Sequence, residues 1–98
     1  MIKLNYSRRF RVEISEITEY LIRNLSKEAA IAITDSIMSS ISLLTDFPRL
    51  GVFRAYDVTY DIEYHLLVSG RYFIYYSIKG ESIKIDGIKD SRQRYYSI

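Results

Sequence analysis

The chain has 98 residues, enough for one domain with a single core and too few for two domains of ordinary size. Its 48% hydrophobic and 27% charged residues are typical of a folded globular protein and exclude a disordered chain. Because the sequence has no cysteine, it excludes disulfides and cysteine-ligated metals, and a single histidine argues against an ordinary zinc site. We therefore expect no cofactor and no metal.

The formal net charge of +2 is unevenly distributed along the chain. Residues 1–46 carry six basic and six acidic side chains, whereas residues 47–98 carry eight basic and six acidic ones. A modestly basic second half is compatible with RNA, DNA or an acidic protein partner. No apolar stretch is long enough to cross a membrane and the first residues lack the apolar run of a signal peptide, so we expect a cytoplasmic protein.

The first half of the chain predicts a short strand followed by two helices. Apolar and polar residues alternate over residues 2–6, which indicates a strand with one buried face. Ser7 and Ser26 are suitable N-caps for the two helices. The first helix has an apolar stripe at steps of three and four residues, formed by Phe10, Ile14, Ile17, Leu21 and Leu25. The second has a similar stripe and must end near Asp46, because Pro48 forbids continuation.

The second half predicts an antiparallel sheet. Residues 56–68 alternate between apolar even positions and an odd series that includes Asp61, Glu63 and His65, which indicates one bent or bulged strand with a solvated odd face. Gly70-Arg71 and Lys79-Gly80 mark turns before two further strands. The predicted fold class is α+β in the order β-α-α-β-β-β, a helical hairpin packed on a small antiparallel sheet in a single domain, residues 1–98. Any site should be a shallow groove on one face of this sheet.

Three segments in a fixed order resemble a known family. DFPRLG at 46–51 follows the helical hairpin, LLVSGRYFIYY follows at 66–76, and KDSRQRYYSI closes the chain at 89–98. Together they resemble the RelE/ParE superfamily of bacterial type II toxins. The resemblance implies a growth-inhibiting toxin that is neutralised by a cognate antitoxin with an acidic, partly disordered segment.

The resemblance leaves two targets open. ParE-like members poison DNA gyrase, whereas RelE-like members cleave messenger RNA on the ribosome. DFPRLG and GRYFIYY favour the ParE-like branch. The arginine that RelE-like enzymes carry in the central strand is replaced here by Tyr72, with Arg71 one residue earlier and therefore on the other face. A non-toxic module that binds RNA or a protein partner is a further alternative.

The nuclease alternative assigns a role to each chemically active side chain. Metal-independent RNA cleavage requires a base, cations for the phosphate and an acid for the leaving oxygen. His65 or Glu63 would be the base. The remaining catalytic candidates are Arg71, Arg92 and Tyr95, and the binding candidates are Arg94, Tyr96 and Tyr72. The structural interpretation is that His65 and Glu63 lie on a solvated strand face, that the strand tyrosines pack within the sheet, and that Arg71 flanks a turn.

Overall fold

The computed structural model describes residues 1–92. Two helices and a five-stranded sheet form an α+β fold, which confirms the predicted class. The predicted site residues Arg94, Tyr95 and Tyr96 lie outside the described part of the chain. In chain order the elements are β1 (Lys3–Tyr6), α1 (Arg8–Asn24), α2 (Lys27–Ser42), a 3-10 turn (Leu43–Thr45), β2 (Val52–Asp57), β3 (Ile62–Ser69), β4 (Tyr72–Lys79) and β5 (Ser82–Asp90).

Both helices begin at the predicted serine caps. The Ser7 hydroxyl accepts a hydrogen bond from Phe10 N at 3.0 Å, and Ser26 does the same for Ala29 N. Ser7 also donates to the carbonyl oxygen of Asp86 at 2.8 Å, which joins the start of α1 to β5. The helices therefore start where local capping predicts, and one cap also fixes α1 against the sheet.

The sheet has the order β1-β5-β4-β3-β2. β1 pairs parallel with β5, and the other strand pairs are antiparallel. The sheet is therefore mixed, whereas the sequence predicted a wholly antiparallel one. It has one strand more than the predicted order, because the bent strand expected over 56–68 is two strands, β2 and β3. Asp57 Oδ1 accepts from Thr59 N and Tyr60 N, and Asp61 has a φ of 55°, so the two aspartates form the turn between them.

The helices cover one face of the sheet and leave the other accessible. On β3 the covered face carries His65, Leu67 and Ser69, so the odd positions are buried there. Even-numbered Tyr64 and Val68 are 39% and 55% exposed on the open face. The expectation of a solvated odd face is therefore wrong for β3. The core also contains Phe10, Ile37, Ile41, Leu44, Tyr72, Ile74, Tyr76, Ile78, Ile83, Ile85 and Ile88.

No helix within residues 1–92 is both long enough and apolar enough to cross a membrane.

Candidate functional site

The turn between the helical hairpin and β2 is held by a buried tyrosine. Tyr76 is 1% exposed, and its hydroxyl donates to the Pro48 carbonyl at 2.8 Å while accepting from Gly51 N at 2.9 Å. Gly51 is closely approached, because a Cβ there would lie 2.6 Å from the Leu66 carbonyl oxygen. One phenol thus satisfies two backbone groups of the turn, and the glycine allows the turn to contact β3.

His65 and Glu63 support the same turn from β3. The His65 ring stacks on Tyr76 with ring centroids 5.3 Å apart and meets Phe53 edge-on at 5.7 Å. Its Nε2 lies 3.0 Å from Glu63 Oε1, and its Nδ1 lies 3.4 Å from the Gly51 carbonyl oxygen. We call residues 48–51 together with Glu63, His65 and Tyr76 the turn clamp.

The charge on Glu63 is stabilised within the turn clamp. Arg49 donates to both Glu63 oxygens, at 3.0 Å from Nε and 2.7 Å from Nη2. Because of these two hydrogen bonds and a further one from His65, the pKa of the Glu63 carboxyl falls from 4.5 to about 2. The carboxylate is therefore ionised across the physiological range and forms a bidentate ion pair.

The burial of His65 corrects the expectation of a solvated strand residue, since its side chain is only 3% exposed. The cause is its neighbours: β2 places Phe53 opposite His65, and β4 places Tyr76 opposite it on the other side. A general base must reach the proton that it removes. Here the ring lies beneath β2 and the turn, and Glu63 is engaged by Arg49.

A second group of candidate residues surrounds Asp90 at the end of β5. Arg71 Nη2 lies 2.9 Å from Asp90 Oδ2, and Arg92 N donates to Asp90 Oδ1 at 2.9 Å. The Arg71 guanidinium also lies 5.5 Å from the ring centroid of Tyr72, which is 4% exposed and packs in the core. This group borders a groove of about 540 Å³ between α1 and β5. As the structural interpretation predicted, Arg71 flanks the turn between β3 and β4, and Tyr72 packs in the core.

The two groups of candidates are separated along the sheet. His65 pairs with Tyr76, whereas Arg71 immediately precedes Tyr72, four residues away on the same strand. At about 3.4 Å per residue, Tyr76 lies roughly 14 Å from Tyr72 and roughly 17 Å from Arg71 along the chain. Within residues 1–92, the structure joins Glu63 with His65 and Arg71 with Arg92, but does not bring the four together.

The open face of the sheet forms a wide groove of about 780 Å³, which is not among the features predicted from the sequence. It is lined by the cationic residues Arg9, Arg54 and Lys89 and by Tyr64 and Tyr75, and it also borders His65 and Tyr76 of the turn clamp. Strand alternation could have placed Tyr64 and Tyr75 on one face. The approach of Arg9 depends on how α1 docks, which periodicity does not specify.

Two acidic residues lie beside the basic side chains of this groove. Glu13 of α1 forms ion pairs with both Arg9 and Lys89, and its Oε1 accepts from Ile88 N at 3.0 Å. Burial raises the pKa of the Asp86 carboxyl, which also lines the groove. The described residues contain no group of three or more His, Cys, Asp or Glu side chains that could hold a metal ion.

Comparisons with known proteins identify a shared fold. No protein-family model matches the chain, and no curated protein matches it. Among solved structures, the chain is similar to one from the chromosomal ParDE TA system of P. aeruginosa, with a TM-score of 0.75 and 18% sequence identity. The match covers 92% of this chain and 96% of that one. Nearly the whole chain therefore has the same fold as that protein.

Replacing Tyr76 with phenylalanine tests the turn clamp. Tyr76→Phe keeps the packing of the ring but leaves the Pro48 carbonyl and the Gly51 N–H without their partner. We expect the free energy of unfolding to fall by about 1–3 kcal/mol. The measurement is equilibrium denaturation in urea. Tyr75→Phe, one residue away on the open face, is the matched control, and an equal loss in both variants would contradict this role for the hydroxyl.

The lowered pKa of Glu63 predicts a pH dependence of stability. Because the folded-state pKa is below the unfolded one, the stabilisation is present above about pH 4.5 and is lost as the pH falls towards 2. We expect Glu63→Gln and Arg49→Gln each to flatten the dependence of unfolding free energy on pH in this window. Arg11→Gln, on the exposed surface of α1, removes the same charge as Arg49→Gln elsewhere. An unchanged profile in Glu63→Gln would rule out this contribution.

Proposed function

We propose that the chain is the toxin of a type II toxin–antitoxin system and acts in the ParE-like manner, by inhibiting DNA gyrase without cleaving RNA. The observation that carries the proposal is the shared fold with a ParDE TA protein over 92% of the chain. The order of DFPRLG, GRYFIYY and the basic terminal segment supports the same family. A cognate antitoxin is then the expected partner.

The turn clamp favours a binding role for residues 46–51. It fixes the turn, while Phe47 and Leu50 remain 59% and 49% exposed. Exposed apolar side chains on a rigid support lose little conformational entropy on association, and they suit contact with a protein target. His65 and Glu63, the candidate bases of the nuclease alternative, are used to hold this turn. The proposal assigns Phe47 and Leu50 to the gyrase contact.

The open-face groove fits the antitoxin. An acidic segment would complement Arg9, Arg54 and Lys89 in its lining, and its apolar side chains could contact Tyr64 and Tyr75. Ordering such a segment costs free energy, which burial over a wide surface can offset. Neutralisation would then follow from occupation of the sheet face.

One observation supports the RelE-like alternative, a ribosome-dependent mRNA interferase. The open-face groove combines cations that suit phosphates with tyrosines that suit base stacking. In this alternative, messenger RNA lies across the groove. Substitution of Arg71, Arg92 and Tyr95 would test their assignment to its chemistry.

Expression of the chain without an antitoxin separates these functions. We expect growth arrest, intact messenger RNAs and inhibition of gyrase supercoiling by the purified protein. Because the proposal assigns the contact to the turn, Phe47→Ser/Leu50→Ser should weaken gyrase inhibition about tenfold. Leu25→Ser, at the exposed end of α1, is the control.

Two outcomes would contradict the gyrase assignment. New RNA 5′ ends within translated codons, lost when translation is blocked, would establish the interferase. Normal growth at confirmed soluble levels of the protein would favour a non-toxic binding module. Gyrase inhibition that Phe47→Ser/Leu50→Ser leaves unchanged would keep the target but move the contact away from the turn.

A further inference from the structure

From the geometry of β2 we infer that the chain forms a two-fold symmetric dimer by antiparallel pairing of β2 with β2 of a second copy. This inference does not depend on the proposed function. β2 is the last strand of the sheet, and within residues 1–92 only β3 pairs with it. Its outer edge therefore presents backbone groups that another strand can pair with.

The apolar side chains of β2 are unusually exposed for a sheet strand. Val52, Phe53 and Tyr56 are 61%, 55% and 49% exposed. Just beyond the end of the strand, Val58 and Tyr60 are 78% and 62% exposed. This row of side chains continues the apolar surface that begins at the preceding turn. Solvent-facing strands more often carry polar side chains at such positions.

A β-bulge determines which side chains share a face. The register of β2 against β3 shifts between Phe53 and Ala55. Phe53 pairs with His65 and Tyr56 with Glu63, so both aromatic side chains lie towards the helix-covered face. Val52, Ala55 and Asp57 lie on the other face. The bulge thus brings Phe53 and Tyr56 to the same side, although they are three residues apart.

This arrangement is self-complementary in one register. If the two-fold axis passes through Ala55 and Arg54 is the extra residue of the bulge, Phe53 stands opposite Tyr56 of the second copy and shares its face. The same operation places Tyr56 opposite the second Phe53, which gives two aromatic cross-strand pairs. A shift by one residue in either direction places Phe53 opposite a residue of the other face. The face pattern therefore selects this register.

Charge complementarity supports the same register. Arg54 lines the open-face groove, and Asp57 lies on that face as well. In the symmetric pair Arg54 is diagonal to Asp57 of the second copy, and the symmetry creates this contact twice. No like charges stand directly opposite each other. Antiparallel pairing also places the exposed Val52 at the start of each β2 beside the exposed Val58 that follows the other.

The exposed side chains supply part of the area that a stable dimer needs. Three aromatic side chains in and just beyond β2, which are Phe53, Tyr56 and Tyr60, are between 49% and 62% exposed. Since such side chains bury about 150–250 Å² each, they offer on the order of 300 Å². That is more than a third of the ~800 Å² per partner in a standard interface, and the strand backbone and aliphatic side chains add to it.

Sedimentation equilibrium of the full chain without a partner tests the inference. We expect a reversible dimer, and Arg54→Glu should raise the dissociation constant about tenfold, because the introduced carboxylate would then face Asp57 of the second copy. Asp57→Asn keeps the side-chain oxygen that accepts from Thr59 N. Alone it should weaken the dimer by removing an attraction, but added to Arg54→Glu it should strengthen the dimer by removing a repulsion.

Opposite effects of Asp57→Asn on the dissociation constant, alone and combined with Arg54→Glu, are expected only if residues 54 and 57 are in contact across the dimer. Arg11→Glu makes the same charge change on the exposed surface of α1 and should leave the dissociation constant unchanged. Thermal unfolding of each variant shows that the fold is retained. A monomer at every soluble concentration would overturn the inference and leave β2 to a different partner strand. A dimer that Arg54→Glu leaves unchanged would place the interface elsewhere.

The absence of native cysteine allows an independent test of the register. Phe53→Cys mixed with Tyr56→Cys should form a disulfide between chains under mild oxidation, because directly opposite Cβ atoms are about 5 Å apart. Each variant alone places its two cysteines farther apart and should cross-link much less. Equal cross-linking in all three samples would contradict the register.

Discussion

The hydroxyl of Tyr76 connects the exit of the helical hairpin to the middle of the sheet, through one hydrogen bond to Pro48 and one from Gly51. β2 follows this turn directly and pairs with a single strand. Its position therefore depends on what fixes the turn at one end and on the aspartate turn at the other. If the phenol did not satisfy both backbone groups, the polar atoms of a part-buried turn would need water, and the start of β2 would lose its support.

The turn clamp also explains why polar residues occupy the covered face. His65 contributes a flat ring between Phe53 and Tyr76, and Glu63 joins that ring to Arg49. Ionisable side chains under a strand edge are costly unless they are paired. Here each is paired, and the ion pair reaches solvent through Arg49. The same side chains that suggested acid–base chemistry in the sequence are therefore the natural means of holding a short proline-containing turn.

Much of the fold was predictable because its signals are local. Serine caps, apolar stripes at helical spacing and Pro48 fix both helices, and glycine turns mark the last two hairpins. Features that depend on tertiary contacts are not predictable in this way. The unbroken alternation over 56–68 favours a single strand, although Asp57 and Asp61 form a turn within it. Alternation also separates the two faces of β3 without indicating which one the helices cover, so the buried face of β3 is not predictable from it.

The candidate site, like the fold, is predictable from the sequence only where its features do not depend on tertiary contacts. The sequence identified Glu63, His65, Arg71 and Arg92 as chemically interesting, and each makes a specific contact. Their separation into two groups follows from the register of the strands, and residue spacing in the sequence does not predict that register. The open-face groove needs Arg9 from a helix as well as side chains from four strands. The bulge that places Phe53 beside Tyr56 likewise appears only in the pairing of β2 with β3.

The buried phenol of Tyr76, and not the chain connection alone, holds residues 48–51 against the sheet. Native-state hydrogen exchange at the Gly51 N–H tests this role of the phenol. We expect this amide to exchange slowly, at a rate close to that of β4 amides such as the one of Ile74. In Tyr76→Phe it should exchange at the rate of an exposed turn, while Ile74 remains protected. Rapid exchange of Gly51 in the parent protein, or equal protection in both proteins, would contradict this role.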